Sequence, residues 1–255
     1  MPLRENKLKA KLKRGEVIIG TLMKSRGPYV VEAFAEAGVD YLDMDAEHTN
    51  FDMKELVESV NYAHLAGVTP MVRLPALEQH FITRLLDNGC QCLILPSIRT
   101  GAEARRFIEF AKFHPEGKRA FGMYGAPDIP AACAHANANT LLALVLETPE
   151  ALENLDEILI PGIDVVWVGH SDLSQLLGIA GQFDHPQITE ARDHVRAMCQ
   201  RKGIAFCQWA MPPTASTVKS LLESGIRWIG YGMDLLFLER EARNAVDEIA
   251  AWRGR

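Results

Sequence analysis

Nothing in the 255-residue sequence approaches the roughly 18 consecutive apolar residues of a membrane span, which argues against a helical membrane protein. Cysteine is sparse. Cys90, Cys92, Cys133, Cys199 and Cys207 are odd in number and scattered, so they make no disulfide framework and fit a reducing cytoplasm. Cys90 and Cys92 lack the spacing of a zinc knuckle, and Leu93, Ile94 and Leu95 beside them suit a buried strand. Basic residues are in deficit, 27 Lys and Arg against 33 Asp and Glu, which speaks against nucleic acid as the main partner. The local basic run at Arg4, Lys7, Lys9, Lys11, Lys13 and Arg14 lacks the apolar core of a signal peptide. It reads as a short surface helix packed down through Leu8 and Leu12. No glycine-rich phosphate loop follows the first apolar run, since Thr21–Pro28 has no such pattern; this disfavours a doubly wound sheet.

What the chain does have is a rhythm. Short apolar runs at Val17–Leu22, Val39–Leu42, Thr69–Leu74, Cys92–Leu95, Leu141–Leu146, Asp164–Val168, Ile204–Cys207 and Arg227–Tyr231 suit strands buried on both faces. Amphipathic stretches such as Met53–Leu65, Glu78–Leu86 and Ala102–Ala111 separate them. Gly38, Gly67, Gly89, Gly203 and Gly225 stand where a helix ends and a strand follows. Eight strands each followed by a helix fit an α/β fold of the (β/α)8 TIM-barrel type, one domain over residues 1–255. Two longer connections, Phe113–Thr140 and Ser171–Gly203, are expected on the face where strands end and active sites form.

Ionisable residues collect at the expected strand ends. Asp45, Glu47 and His48 follow the second strand, Arg73 ends the third, Glu147 ends the fifth and Asp172 lies just past the sixth. A barrel brings these places to one mouth. Glu147 and Asp172 are one βα unit apart, and two carboxylates without a nearby thiol or second imidazole favour a hard cation such as Mg²⁺ or Mn²⁺. Each also has a plain reading as a helix cap. Arg73 suits a substrate carboxylate or enolate, or a structural ion pair with Asp45 or Asp87. His48 suits proton transfer or loop packing.

At these residues the sequence resembles the HpcH/HpaI aldolases, the metal-dependent class II pyruvate aldolases. The likeness runs from about Gly20 to about Leu236, through Asp45-Ala46-Glu47-His48, Val72-Arg73-Leu74-Pro75, Leu86-Asp87-Asn88-Gly89, Glu147-Thr148, Pro161-Gly162-Ile163-Asp164 and Asp172-Leu173-Ser174. It implies a homohexamer with the C-terminal helix exchanged between subunits. It implies reversible cleavage of a 4-hydroxy-2-oxo acid to pyruvate and an aldehyde through a metal-stabilised enolate, with Mg²⁺ or Mn²⁺, or Co²⁺, as cofactor. Residue by residue, it makes Glu147 and Asp172 the metal ligands, Arg73 the enolate-steadying arginine, His48 the catalytic histidine, and Asp45 and Asp87 its acidic partners.

Three stretches depart from the family pattern: Val145 replaces a glutamine, Gly169-His170-Ser171 replaces Gly-Pro-Ala, and Ala120–Ala126 lacks the usual arginines. Gly169, His170 and Ser171 are expected to bind substrate, His170 as an acid/base or polar contact or as a loop filler. Trp209, just past the seventh strand, is expected to form an apolar wall of the mouth or to pack inside. Two other readings share the scaffold: a citrate-synthase-like or acyl-CoA lyase activity, for which no basic cluster near the strand ends offers a CoA groove, and a non-catalytic sensor of a 2-oxo acid.

Overall fold

Strands buried on both faces need a layer of helices around them, and the chain supplies one in strict alternation. The structure is a computed structural model that describes residues 4–122 and 126–253. Eight parallel strands close into a ring in chain order: β1 (Ile18–Met23), β2 (Tyr41–Asp45), β3 (Thr69–Arg73), β4 (Cys92–Leu95), β5 (Leu141–Leu146), β6 (Val165–Val168), β7 (Ala205–Ala210) and β8 (Trp228–Met233). All eight expected runs become strands. β2 starts two residues late, and at its foot the Asp40 carboxylate accepts the Ile19 amide and pairs with Lys11.

The outer layer holds α2 (Pro28–Glu36), α3 (Met53–Ala66), α4 (Gln79–Asp87), α5 (Gly101–Ala111), α7 (Pro149–Glu153), α8 (Leu155–Ile158), α10 (Pro186–Lys202) and α11 (Ala215–Glu223). Local chemistry sets their ends. Asp52 with Glu55, and Thr100 with Glu103, form capping boxes that satisfy the first amides of α3 and α5. Gly67 and Gly203 close α3 and α10 with φ of 85° and 69°, a left-handed turn that a side chain resists.

Alternate strand residues face inward. Ile18, Tyr41, Met71, Cys92, Ile94, Val145, Trp167, Cys207 and Trp228 fill the ring, while Leu42, Met44, Val72, Leu93 and Leu144 face the helices. The interior is aromatic on one side, and glycine makes that possible: a Cβ at Gly20 would fall within the Tyr41 ring, and one at Gly230 within the Trp209 ring. Below, α1 (Lys7–Arg14) stops the ring, with Leu8 buried among the interior residues. Its basic charges are used locally: Lys9 pairs with Asp164 and Lys11 with Asp40, while Lys7 donates to the Gly67 carbonyl.

The two long connections divide. The segment after β6, with α9 (His170–Leu176) and α10, is at the mouth as expected. Residues 112–140, containing α6 (Ile129–Asn139), are not. They follow α5 rather than β4, so they cover the opposite end, where Lys112 is buried and donates to the Thr140 carbonyl at the start of β5. The sequence spacing measures from strand to strand and does not say on which side of the helix the extra chain lies. Finally, α12 (Asp234–Arg253) exposes Leu235, Leu236, Leu238, Val246, Ile249 and Trp252. Among the described residues, no helix is long and apolar enough to cross a membrane.

Since Gly20 faces the Tyr41 ring, Gly20→Ala overpacks the barrel and should cost roughly 1–3 kcal/mol, read as a fall in melting temperature by circular dichroism.

Candidate active site

Parallel register carries four strand ends to one level. β2 and β3 pair Asp45 with Arg73, so two inward-facing charges end side by side. Arg73 Nη2 donates to Asp45 Oδ2 at 2.9 Å, and Nη1 lies 3.5 Å from Glu47 Oε2. Asp45 is fully buried. Its Oδ1 accepts the backbone amides of Glu47 and His48 at 3.1 and 3.0 Å, which shapes the turn that presents His48. The exposed His48 imidazole places Nε2 3.3 Å from Glu47 Oε2.

Across the ring, Glu147 caps β5 and is 3% exposed. Its Oε1 accepts both the amide and the hydroxyl of Ser97, at 2.6 and 3.0 Å. Ser97 holds φ at 51° to make this contact, unusual for a residue with a Cβ. Gly169 is equally constrained, because a Cβ there would occupy the position of Glu147 Oε2. Asp172, exposed in the first turn of α9, adds a negative field that reaches Glu147. Thr148 takes the helix-capping role, donating nothing to the site but accepting the Ala151 amide, which leaves the Glu147 carboxylate free of capping duty.

The charges here are unbalanced. Burial pushes the Glu147 carboxyl up to about 7, helped by Asp172 and Glu47 and opposed by Ser97. Burial pushes Asp43 to about 7 as well, against the pull of Arg73. Burial also raises Glu47, whereas Arg73 and the His48 amide overcome burial at Asp45 and hold it below the usual carboxylate range. Arg73, flanked by Asp43, Asp45 and Glu47, stays protonated despite its burial. Arg73 Nε, Asp43 Oδ1 and Glu47 Oε2 are buried without a hydrogen-bond partner among the described residues. A mouth with excess carboxylate charge and spare donors on its guanidinium is built for a cation and an anion together.

The donor set fits a hard divalent ion. Glu147 and Asp172 supply oxygen, and Gly169 has no Cβ to crowd the Glu147 carboxylate. Among the described residues no group of three His, Cys, Asp or Glu side chains forms a closed metal cage. The carboxylate pair would therefore leave the remaining coordination to substrate oxygens and water, the habit of Mg²⁺ rather than of a structural zinc.

Other expected site residues are placed differently. Asp87 is not at this mouth: it ends α4, at the opposite end of its own barrel, and pairs with Arg119 at 2.6 Å. Chain proximity to Gly89 hid this, since a helix after β3 runs back down before it stops. His170 begins α9 and its ring meets Phe183 edge-on; burial, with Arg192 nearby, lowers it to about 4, so the imidazole is neutral. Ser171 is exposed beside it. Trp209 is partly buried over Gly230, in the upper interior. Of the departing Ala120–Ala126 loop, Met123, Tyr124 and Gly125 lie outside the described residues, and Gly122 packs on Asp87.

Three participants escape a reading by motif. Asp43 lies one pleat below Asp45 and looks in sequence like part of a buried strand. Ser97 comes from a loop after β4 with no charge to mark it. Lys24, the residue after β1, brings Nζ to 3.4 Å from Asp45 Oδ2. The question asked of the other strands, which ionisable group comes next, would have found it.

The model of the HpcH/HpaI aldolase/citrate lyase family matches residues 19–239. The chain belongs to that family. Among its relatives, a hydroxypyruvate/pyruvate aldolase of Roseovarius nubinhibens is 31% identical, with 99% of each chain covered. A 5-keto-4-deoxy-D-glucarate aldolase of Salmonella paratyphi C is 30% identical over 90% of this chain and 91% of its own length. Among solved structures, the citrate synthase SbnG superposes with a TM-score of 0.91 over 97% of this chain and 99% of its own, at 23% identity, a likeness of fold alone. The expected barrel and family both hold, and an aldolase activity fits this HpcH/HpaI member better than the citrate-synthase alternative.

Asp43 couples the stability of this chain to pH. The folded chain keeps the Asp43 proton up to about 7, while an unfolded carboxyl loses it near 3.8. The folded state therefore binds more protons between these values, and stability falls as pH rises through that window. Asp43→Asn removes the loss. Its melting temperature should exceed the parent's at pH 8 by a few degrees, at about 2–4 °C per kcal/mol, and match it near pH 4, as thermal unfolding in two buffers would show.

Proposed function

We propose that the chain is a divalent-metal-dependent aldolase that reversibly cleaves a 4-hydroxy-2-oxo acid to pyruvate and an aldehyde. The observation that carries this reading is the buried Glu147 carboxylate, seated over Gly169 within the field of Asp172 and facing the guanidinium of Arg73 across the mouth. The relatives named as aldolases of pyruvate and of a keto-deoxy-sugar acid support the same substrate class.

Glu147 and Asp172 would hold the ion, Mg²⁺ or Mn²⁺ or Co²⁺. The chemistry a divalent ion supplies when held there is Lewis-acid polarisation of the 2-oxo group. The protein's part is positional. Arg73, clamped by Asp45 and with its Nε unused, directs positive charge at the oxygen that becomes negative as the C3–C4 bond breaks. His48, turned outward by Asp45 and neighboured by Glu47, takes the C4 hydroxyl proton through a water and returns it in condensation. The electron pair of the broken bond passes to the pyruvate fragment, and the aldehyde leaves from the open side. Gly169, His170 and Ser171 shape the carboxylate-binding turn at the start of α9, and Trp209 bounds the site below.

The assembly belongs to the same proposal. α12 carries an apolar face with Leu238 68% and Trp252 75% exposed, an arrangement that calls for a partner surface. Exchange of α12 between subunits of a homohexamer would cover it. In such an assembly Asp87, remote from the mouth of its own barrel, serves a neighbour's. The four buried thiols suit a cytoplasmic setting.

A screen of 4-hydroxy-2-oxo acids should reveal pyruvate release that EDTA abolishes and Mg²⁺ or Mn²⁺ restores, with Arg73→Ala lower in kcat/KM by about 100–1,000-fold. Turnover that persists in EDTA would overturn the metal role. For the assembly, Leu238→Glu with Val246→Glu should reduce the particle mass measured by light scattering to that of a smaller species.

A further inference from the structure

The loops that follow β3 and β4 part at the mouth and leave a cavity of about 190 Å³ between them. Its walls are mainly apolar, with Pro75, Ala76 and Leu77 from one loop and Leu95, Pro96 and Ile98 from the other strand end. Three polar side chains complete the lining, and two of them have other work. Ser97 donates its hydroxyl to Glu147 Oε1 at 3.0 Å, and Glu103 Oε2 accepts the amides of Arg99 and Thr100 at the start of α5. The third, Glu47, joins the cavity to the reacting groups, since its Oε2 lies 3.5 Å from Arg73 Nη1 and 3.3 Å from His48 Nε2.

Charge and size say what such a cavity takes. The charged side chains on its wall, Glu47 and Glu103, are both acidic, so an anion is repelled. The apolar walls favour an uncharged group that leaves water. A dry apolar cavity of about 150 Å³ holds benzene. A volume of about 190 Å³ therefore admits one six-membered ring, or a branched alkyl group of that bulk, with little to spare.

The order of the strands says which part of a substrate meets it. His48 follows β2 and Glu147 follows β5, while the loops around the cavity follow β3 and β4, which stand between them in the ring. In the reaction proposed above, the 2-oxo group lies at Glu147 and C4 comes to His48. The chain from C2 to C4 thus passes in front of the cavity. The substituent on C4, which leaves as part of the aldehyde, has beside it the wall that begins at Glu47.

We infer that this cavity is the subsite for the aldehyde half, and that it selects acceptors whose substituent is uncharged, apolar and about the size of one ring. Ala76 and Leu77 set the limit, because both line the cavity without being fully buried, whereas Ile98 belongs to the closed core. This rests on the aldolase reading and adds to it the residues that choose the acceptor.

The test condenses pyruvate with acetaldehyde, with cyclohexanecarbaldehyde and with the same ring bearing a 4-carboxylate, using the metal-loaded enzyme. The uncharged ring should exceed acetaldehyde in kcat/KM by about 10–100-fold, the scale of burying one large apolar side chain, and the added carboxylate should remove the gain. Ala76→Phe fills the cavity and should bring the ring-to-acetaldehyde ratio near one. Leu77→Ala widens it and should extend the preference to a fused two-ring aldehyde. Each ratio compares two substrates on one sample, so it does not depend on how much of a variant has folded. A wild-type ratio near one, or a ratio unmoved by Ala76→Phe, would overturn the inference. So would a smaller particle mass of Ala76→Phe by light scattering, which would assign the cavity to a contact between subunits. Exchange of the pyruvate methyl hydrogens in D2O separates the two levels: no exchange in wild type overturns the aldolase reading together with this one, whereas exchange with a flat ratio overturns only the role of the cavity.

Discussion

The ion pair from Arg73 Nη2 to Asp45 Oδ2, at 2.9 Å with Asp45 wholly buried, is the interaction around which the mouth of this barrel is arranged. It joins the ends of two neighbouring strands, and it commits Nη2 of the guanidinium while Nε keeps no hydrogen-bond partner among the described residues. The same Asp45 carboxylate, through its second oxygen, organises the turn that displays His48. One buried acid therefore sets both the positive group and the proposed proton-transfer group of the site. Its removal would leave a desolvated cation with poorer company, a costly state in a low-dielectric interior.

Around this pair the other acids are placed with less compensation. Burial pushes both Asp43 and Glu147 up to about 7, because it disfavours their charged forms more than Arg73 favours that of Asp43 or Ser97 that of Glu147. The two differ in what surrounds them. Glu147 has Ser97 and the space over Gly169, on which its proposed metal role rests, whereas Asp43 has an unpartnered oxygen in the barrel interior. A fold tolerates such groups where function requires charge, and supports them by the well-packed aromatic interior beneath.

Much of this was legible before any coordinates. The period of apolar runs and the glycine stops reported the barrel because both follow from local chemistry: strands buried on two faces must be apolar, and a helix that turns sharply back needs a left-handed residue. Strand-end position then gathered Asp45, Arg73, Glu147 and Asp172. The misplacements have physical reasons too. Asp87 sits in the Leu-Asp-Asn-Gly run that carries the family resemblance, yet the helix carries it the full height of the barrel away from the mouth. The connection at 112–140 follows a helix, which puts it at the floor. Ser97 works through a backbone conformation that residue identity does not announce, and Lys24 through a three-dimensional neighbour on the next strand.

The helical stopper at the foot of the ring governs traffic. With Leu8 lodged under the strands and aromatic rings filling the middle, the barrel has no rear exit, and both reactants must share a single doorway. In the proposed reaction the 2-oxo acid at Glu147, which is buried, lies deeper than the partner near His48, which is exposed. In synthesis the deeper molecule must come in first and the shallower one second; in breakdown the shallower fragment departs before the deeper one is free to go. An ordered sequence of arrivals and departures is thus written into the way the N-terminal helix is packed.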